Sequence, residues 1–218
     1  MLIQNKLSIF IAAVLFASTV NGTIITAIED ATNSGGFFAE VTFTNYGANT
    51  VRVTADISDP INLGLSKGDI LGLWFDLSDF SLLSGSLGFG GATTVLDSEY
   101  GENSVGSSLG GNVNMNGSGA INWDLAVNVG TNGSQGGFIQ TLSFDITALG
   151  LDETIFAGQR VGMRVQSIEG SNFSAGSSKL LGTTVIEVPE PTTLLLYVMA
   201  LLGIALRASK CLVDKNSI

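Results

Sequence analysis

Between residues 37 and 57 apolar and polar positions alternate with a period of two. Phe37, Ala39, Val41 and Phe43 stand against Glu40, Thr42 and Thr44. After Asn45-Tyr46-Gly47, the set Val51, Val53, Ala55 and Ile57 stands against Arg52, Thr54 and Asp56. Successive side chains of a strand point to opposite faces, so this period predicts half-buried β-strands. It returns at Trp123, Leu125, Val127 and Val129 against Asp124, Ala126 and Asn128, and at Val161, Met163 and Val165 against Gly162, Arg164 and Gln166. Ile70–Leu77 and Phe138–Ile146 are more continuously apolar and read as central strands. Ile24–Ile28 reads as a short first strand and Thr183–Val188 as a last one.

Asn33-Ser34-Gly35-Gly36, Asn45-Tyr46-Gly47 and Asn132-Gly133 supply turn chemistry between these runs. No helical period appears between Thr23 and Val188 beyond a short turn near Thr147–Glu153. About eight strands with one-sided alternation predict an all-β domain, an antiparallel β-sandwich of jelly-roll type. Ser84 opens a Gly-rich stretch, and its last part, Ser104–Gly119, has five glycines and few large apolar residues. That part reads as a long loop or an edge hairpin, either plain connection or ligand contact.

The two ends follow different rules. Met1–Gly22 places Lys6 before a largely apolar run, Leu7–Ala17, with Val20 and Gly22 as small residues at −3 and −1. This is the form of a signal peptide cleaved before Thr23. Near the C-terminus Leu194–Leu206 is an apolar run of 13 residues, too uniform for an amphipathic core helix. With Thr192 and Thr193 it spans roughly 22 Å as a helix, short of the ~30 Å hydrocarbon core unless Arg207 snorkels. Arg207, Lys210 and Lys215 follow it and argue for a cytoplasmic tail. The predicted order is a signal helix over residues 1–22, the β domain over 23–188, a Pro-Glu-Pro motif at 189–191, a transmembrane helix at 192–207 and a basic tail at 208–218.

Pro189-Glu190-Pro191, the apolar helix and the closing Arg207 resemble the PEP-CTERM sorting signal of Gram-negative bacteria. The resemblance covers about 20 residues and is paired with a signal peptide. It implies recognition by exosortase, a membrane transpeptidase-like enzyme, then passage of a single-pass membrane precursor to the cell surface or exterior, often alongside exopolysaccharide. The physics agrees with such a role, because each proline bars regular helix and keeps its preceding residue extended and accessible. Gly68–Leu77, Arg164–Ile168 and Ser178–Gly182 are also similar to β domains found upstream of this signal. That likeness implies a fold and no assigned activity.

Composition then narrows the chemistry. Five basic and seventeen acidic residues between Thr23 and Val188 give that span a net charge of −12, which repels nucleic acid. Histidine is absent and the single cysteine, Cys211, lies beyond the domain, so no Ser-His-Asp triad and no histidine or thiolate zinc site is available. Gly88-Phe89-Gly90-Gly91 is not a dinucleotide fingerprint. The chain reads as a non-enzyme with a structural or adhesive role. The alternative is a carbohydrate-binding module with Trp74, Tyr46 and Tyr100 as a stacking platform. Calcium is the candidate ion, with Asp56, Asp59, Asn62, Asp69, Asp76 and Asp79 close in sequence. A glycoside-acting enzyme would need two of Asp76, Asp79, Asp124 and Asp145 brought together.

Overall fold

A computed structural model of the chain describes residues 23–31, 36–83, 85, 87–110, 113–120, 122–131 and 137–185. The predicted signal helix, the Pro-Glu-Pro motif, Arg207 and the predicted membrane helix lie outside these residues, as do most of the predicted turn at Asn33–Gly36 and the predicted turn at Asn132-Gly133. Among the described residues no helix is long and apolar enough to cross a membrane.

The domain is all-β and antiparallel. Its strands are β1 Thr23–Asp30, β2 Phe38–Gly47, β3 Thr50–Asp56, β4 Leu65–Phe75, β5 Gly88–Gly90, β6 Asp97–Val105, β7 Trp123–Asn128, β8 Thr141–Thr147, β9 Arg160–Gly170 and β10 Phe173–Thr183. All ten pair in one continuous sheet, ordered β5-β8-β3-β2-β1-β10-β9-β4-β7-β6. The sheet curls into a half-barrel. Ring contacts show how tightly. β2 and β4 are four strand steps apart, roughly 19 Å along a flat sheet at ~4.8 Å per step. Yet Phe43 of β2 and Phe75 of β4 have ring centroids 5.8 Å apart. The two halves therefore face each other across one core.

The alternating sets build that core. Phe37, Ala39, Val41 and Phe43, then Val51, Val53, Ala55 and Ile57, then Val161, Met163 and Val165, are all buried in it. From β4 and β7, on the same side of the sheet as β9 and facing β2, come Ile70, Leu73, Phe75, Leu125 and Val127. Phe156, on a short 3-10 turn at Glu153–Phe156, closes one end by stacking on Phe43 at 4.3 Å.

Three sequence expectations need correction. Among the described residues the last strand is β10, Phe173–Thr183, which reaches only the first residue of the predicted Thr183–Val188; residues 186–188 lie outside the described residues. β5 and β6 lie inside the Gly-rich stretch, where no strand was expected. Trp123 does not share a face with Leu125 and Val127. It belongs to a second apolar layer on the outer side of the sheet, with Leu71, Trp74, Val105, Leu109, Val113, Met115, Ala120 and Ala126.

That outer layer explains segment 105–120. Its few apolar residues, Val105, Leu109, Val113 and Met115, are all buried against β4 and β7, so the segment is a cover rather than a free loop. It is pinned by the Trp74 indole N–H donating to the Gly106 carbonyl at 3.2 Å, by Ser107 Oγ donating to the Ala120 carbonyl at 3.1 Å, and by Lys179 Nζ donating to the Asn116 carbonyl. β4 serves both layers, and the register shift between Ile70 and Gly72 lets Ile70 share the inner face with Leu73 and Phe75, and Leu71 the outer face with Trp74. Strand glycines make room for the cover. A Cβ on Gly162 would sit 2.9 Å from Met115 Cε and 3.0 Å from the Trp123 ring. Gly162→Ala should therefore cost about 1–3 kcal/mol by overpacking, read as a lowered midpoint in thermal unfolding.

Candidate functional site

The residues singled out for calcium are not assembled. Asp56 Oδ1 accepts from the Ser58 amide at 2.7 Å, Asp59 Oδ1 from the Gly64 amide at 2.7 Å, and Asp79 Oδ1 from the Ser81 amide at 3.0 Å. Each closes its own turn. Asn62 is buried and ties the Phe38 backbone to the Ile57 carbonyl. Asp69 is buried and accepts from the Ile139 amide at 3.0 Å and from Gln166 Nε2 at 3.1 Å. Asp76 pairs with Arg160. Among the described residues no three acidic, histidine or cysteine side chains converge.

The candidate catalytic carboxylates are likewise taken up separately. Asp145 binds Arg52 through two bonds, 2.7 and 3.0 Å. Asp124 is buried and accepts from the amides of Leu77 at 2.8 Å and Asn103 at 2.7 Å, fixing the ends of β4 and β6. Asp76 is held by Arg160, whose guanidinium also lies over the Trp123 ring.

The three aromatic residues of the expected sugar platform part company. Trp74 is fully buried beneath segment 105–120 and offers no face to a ligand. Trp74 shares strand parity with the polar Asp76, and parity does not reveal a second covering layer. Tyr100 is exposed on β6, an edge strand of the sheet. Tyr46 is 58% exposed at the end of β2 and lines an open groove of about 370 Å³ with Asn45, Gly47, Asn49, Leu151 and Asp152.

This groove carries one of the candidate residues, Tyr46, on its lining. One wall is the β2–β3 hairpin, whose turn is made by Asn49 in the left-handed region at φ 61°. Asn tolerates that conformation better than most residues. The other wall is the chain between β8 and the 3-10 turn. Asn49 Oδ1 accepts from the Gly150 amide at 2.8 Å and Asn45 Oδ1 from the Glu153 amide at 3.1 Å, so the two walls are clamped together. Asp152 caps the 3-10 turn, accepting from the Thr154 amide at 2.9 Å.

Beneath the rim, Arg52 Cζ lies 3.2 Å from the centre of the Tyr46 ring. The bond to Asp145 raises the Arg52 guanidinium above its ordinary value, and Tyr46 adds to the rise, so the cation is permanent. Elsewhere burial lowers the Arg164 guanidinium, and burial together with neighbouring Arg164 lowers the Lys179 ammonium. Those two cations face one another across β9 and β10, Lys179 on the side that clasps segment 105–120.

No family model matches the chain, and no curated protein or solved structure matches it.

Proposed function

We propose that the chain is an exported surface or extracellular-matrix protein, sorted by exosortase through Pro189-Glu190-Pro191 and Arg207, whose β domain has a structural or adhesive role alongside exopolysaccharide. The observation that carries this reading is the pairing of two terminal signals, a small-residue cleavage site before Thr23 and a Pro-Glu-Pro, apolar run and arginine at the other end. The finer fold reading goes with it: a jelly-roll-like sandwich held in the precursor between a signal helix and a membrane helix.

The arrangement of the described ends supports the proposal. β1 pairs antiparallel with β10 through Glu29 opposite Leu181, and Thr26 Oγ1 donates to the Thr183 carbonyl at 2.9 Å. The chain therefore enters at Thr23 and leaves beyond Thr183 at the same end of the sheet. A domain so connected suits tethering at one membrane face, with the rest of its surface free to meet a matrix. Among the described residues the buried core draws on Ile24 to Leu180, and cuts at the two signals leave all of these in place.

Fractionation of cells with and without exosortase tests the reading. The chain should reach the surface-extractable fraction only when the enzyme is present, and a variant lacking residues 189–191 should stay with the membranes. Equal distribution of both forms would contradict the sorting role.

A further inference from the structure

We propose that the groove at Tyr46 is a binding site for a neutral polysaccharide. The inference rests on the surface-protein reading and deepens it by naming the ligand class and the residues that meet it.

Sugars present two kinds of surface: patches of C–H groups on the ring faces and hydroxyls around the rim. A site that takes them needs an exposed aromatic face and planar hydrogen-bonding groups beside it. Both are here. Arg52 occupies one face of Tyr46 and is itself tied to Asp145, so the ring is supported from behind while more than half of the residue stays exposed. That support limits the rotamer freedom a ligand would otherwise have to remove.

The polar partners are fixed in the same way. Asn45 and Asn49 use their side-chain oxygens to clamp the Gly150 and Glu153 amides. Each amide still carries two N–H donors, and among the described residues no protein acceptor takes them. Asp152 uses Oδ1 on Thr154, leaving Oδ2 as an acceptor for hydroxyls. Donors, an acceptor and an aromatic ring thus border one groove, whose volume lies within the ~300–1,000 Å³ usual for small-ligand sites.

Charge selects among sugars. Among the described residues the cation at the ring, Arg52, is neutralised by Asp145, the groove carries Asp152, and the domain as a whole is strongly acidic. A uronate or sulfated polymer is repelled, and a neutral one is indifferent to the field.

The test uses the full chain in detergent solution and calorimetry with four probes: a soluble β-1,3-glucan, a soluble β-1,4-glucan, a galactomannan and alginate as the anionic polymer. At least one neutral probe should bind and alginate should not. Tyr46→Ala should weaken binding about tenfold or more, and Tyr46→Phe should retain it, since the face and not the hydroxyl makes the contact. Asn49→Gly keeps the left-handed turn while removing the amide, and Asp152→Asn keeps a capping oxygen while removing the charge. Asp152→Asn should weaken binding with an unchanged unfolding midpoint, whereas Asn49→Gly also gives up the bond to the Gly150 amide and should weaken binding with a slightly lower midpoint. Binding of no neutral probe, preference for alginate, or indifference to Tyr46→Ala in a folded variant would each overturn the assignment. The sorting proposal would stand in all three cases, because it is read from cleavage at the chain's ends.

Discussion

Replacing Trp74 by alanine should destabilise the domain by about 3–5 kcal/mol, lower its thermal midpoint by on the order of 10 °C, and expose segment 105–120 to protease. Trp74 is fully buried and is the central anchor of the outer layer. Its removal takes away the apolar floor on which Val105, Leu109, Val113 and Met115 rest. It also leaves the Gly106 carbonyl without its indole donor. The inner core does not include Trp74, so Ile70, Leu73 and Phe75 keep their partners across the sheet. Limited proteolysis should therefore cut first between residues 105 and 120 while the remaining strands stay protected. A Trp74→Phe variant should recover much of the burial but not the hydrogen bond. If Trp74→Ala leaves the segment as resistant as in the parent, the covering layer is not what holds it.

Phe43→Ala should cost a similar ~3–5 kcal/mol, yet its signature should differ. Phe43 stacks on Phe156 at 4.3 Å and meets Phe75 edge-on at 5.8 Å. It is thus a contact between β2, β4 and the 3-10 turn, and it joins the two halves of the curled sheet. Aromatic pairs of this kind add ~0.5–1.5 kcal/mol beyond the area they bury. Loss of the ring weakens the closure of the half-barrel everywhere at once. Hydrogen exchange should consequently speed up across β2, β4 and β9 together, with no early cut in segment 105–120. A loss of protection confined to the 3-10 turn would show that Phe43 does not bridge the halves.

The two variants also mark what the sequence discloses and what it hides. The inner layer was legible because one face of β2, β3 and β9 meets the core and the other is polar or covered only in part, which writes a period of two into the chain; β8, read as a continuously apolar central strand, also alternates. β6 was not legible for the opposite reason. Asp-Ser-Glu-Tyr-Gly-Glu-Asn-Ser-Val has one strand neighbour, buries little until Val105, and carries the charges that keep an edge from pairing with other chains. β10 mixes glycine and serine with Leu180 and Leu181, and its register with β9 slips twice, so no steady alternation survives.

The outer layer was hidden because small residues make it. Gly72 lies inside the run read as a central strand and Gly162 on the polar side of an alternating one, and both are the space that Val113, Met115 and the two tryptophans fill. Nothing in residue type alone distinguishes a glycine that breaks a strand from one that admits a ring. The same limit applied to the site. Exposure separates Tyr46 from Trp74, and exposure depends on which segment folds over which strand. Tyr46 was a candidate by its place in a polar turn, whereas Asn45, Asn49 and Asp152 gain their meaning only when the hairpin and the 3-10 turn meet. The aspartates between Asp56 and Asp79 were near one another in number, and each has its own partners: Asp56, Asp59 and Asp79 in turns, Asp69 with Ile139 and Gln166, Asp76 with Arg160.

The central claim is that this domain is delivered to the cell surface by signals at both of its ends. Mass spectrometry of the protein extracted from the surface of cells that carry exosortase tests it most directly. The account predicts a mature chain that begins at Thr23 and has lost the segment beyond Pro189-Glu190-Pro191. A surface form that still yields the peptide containing Cys211 would contradict it.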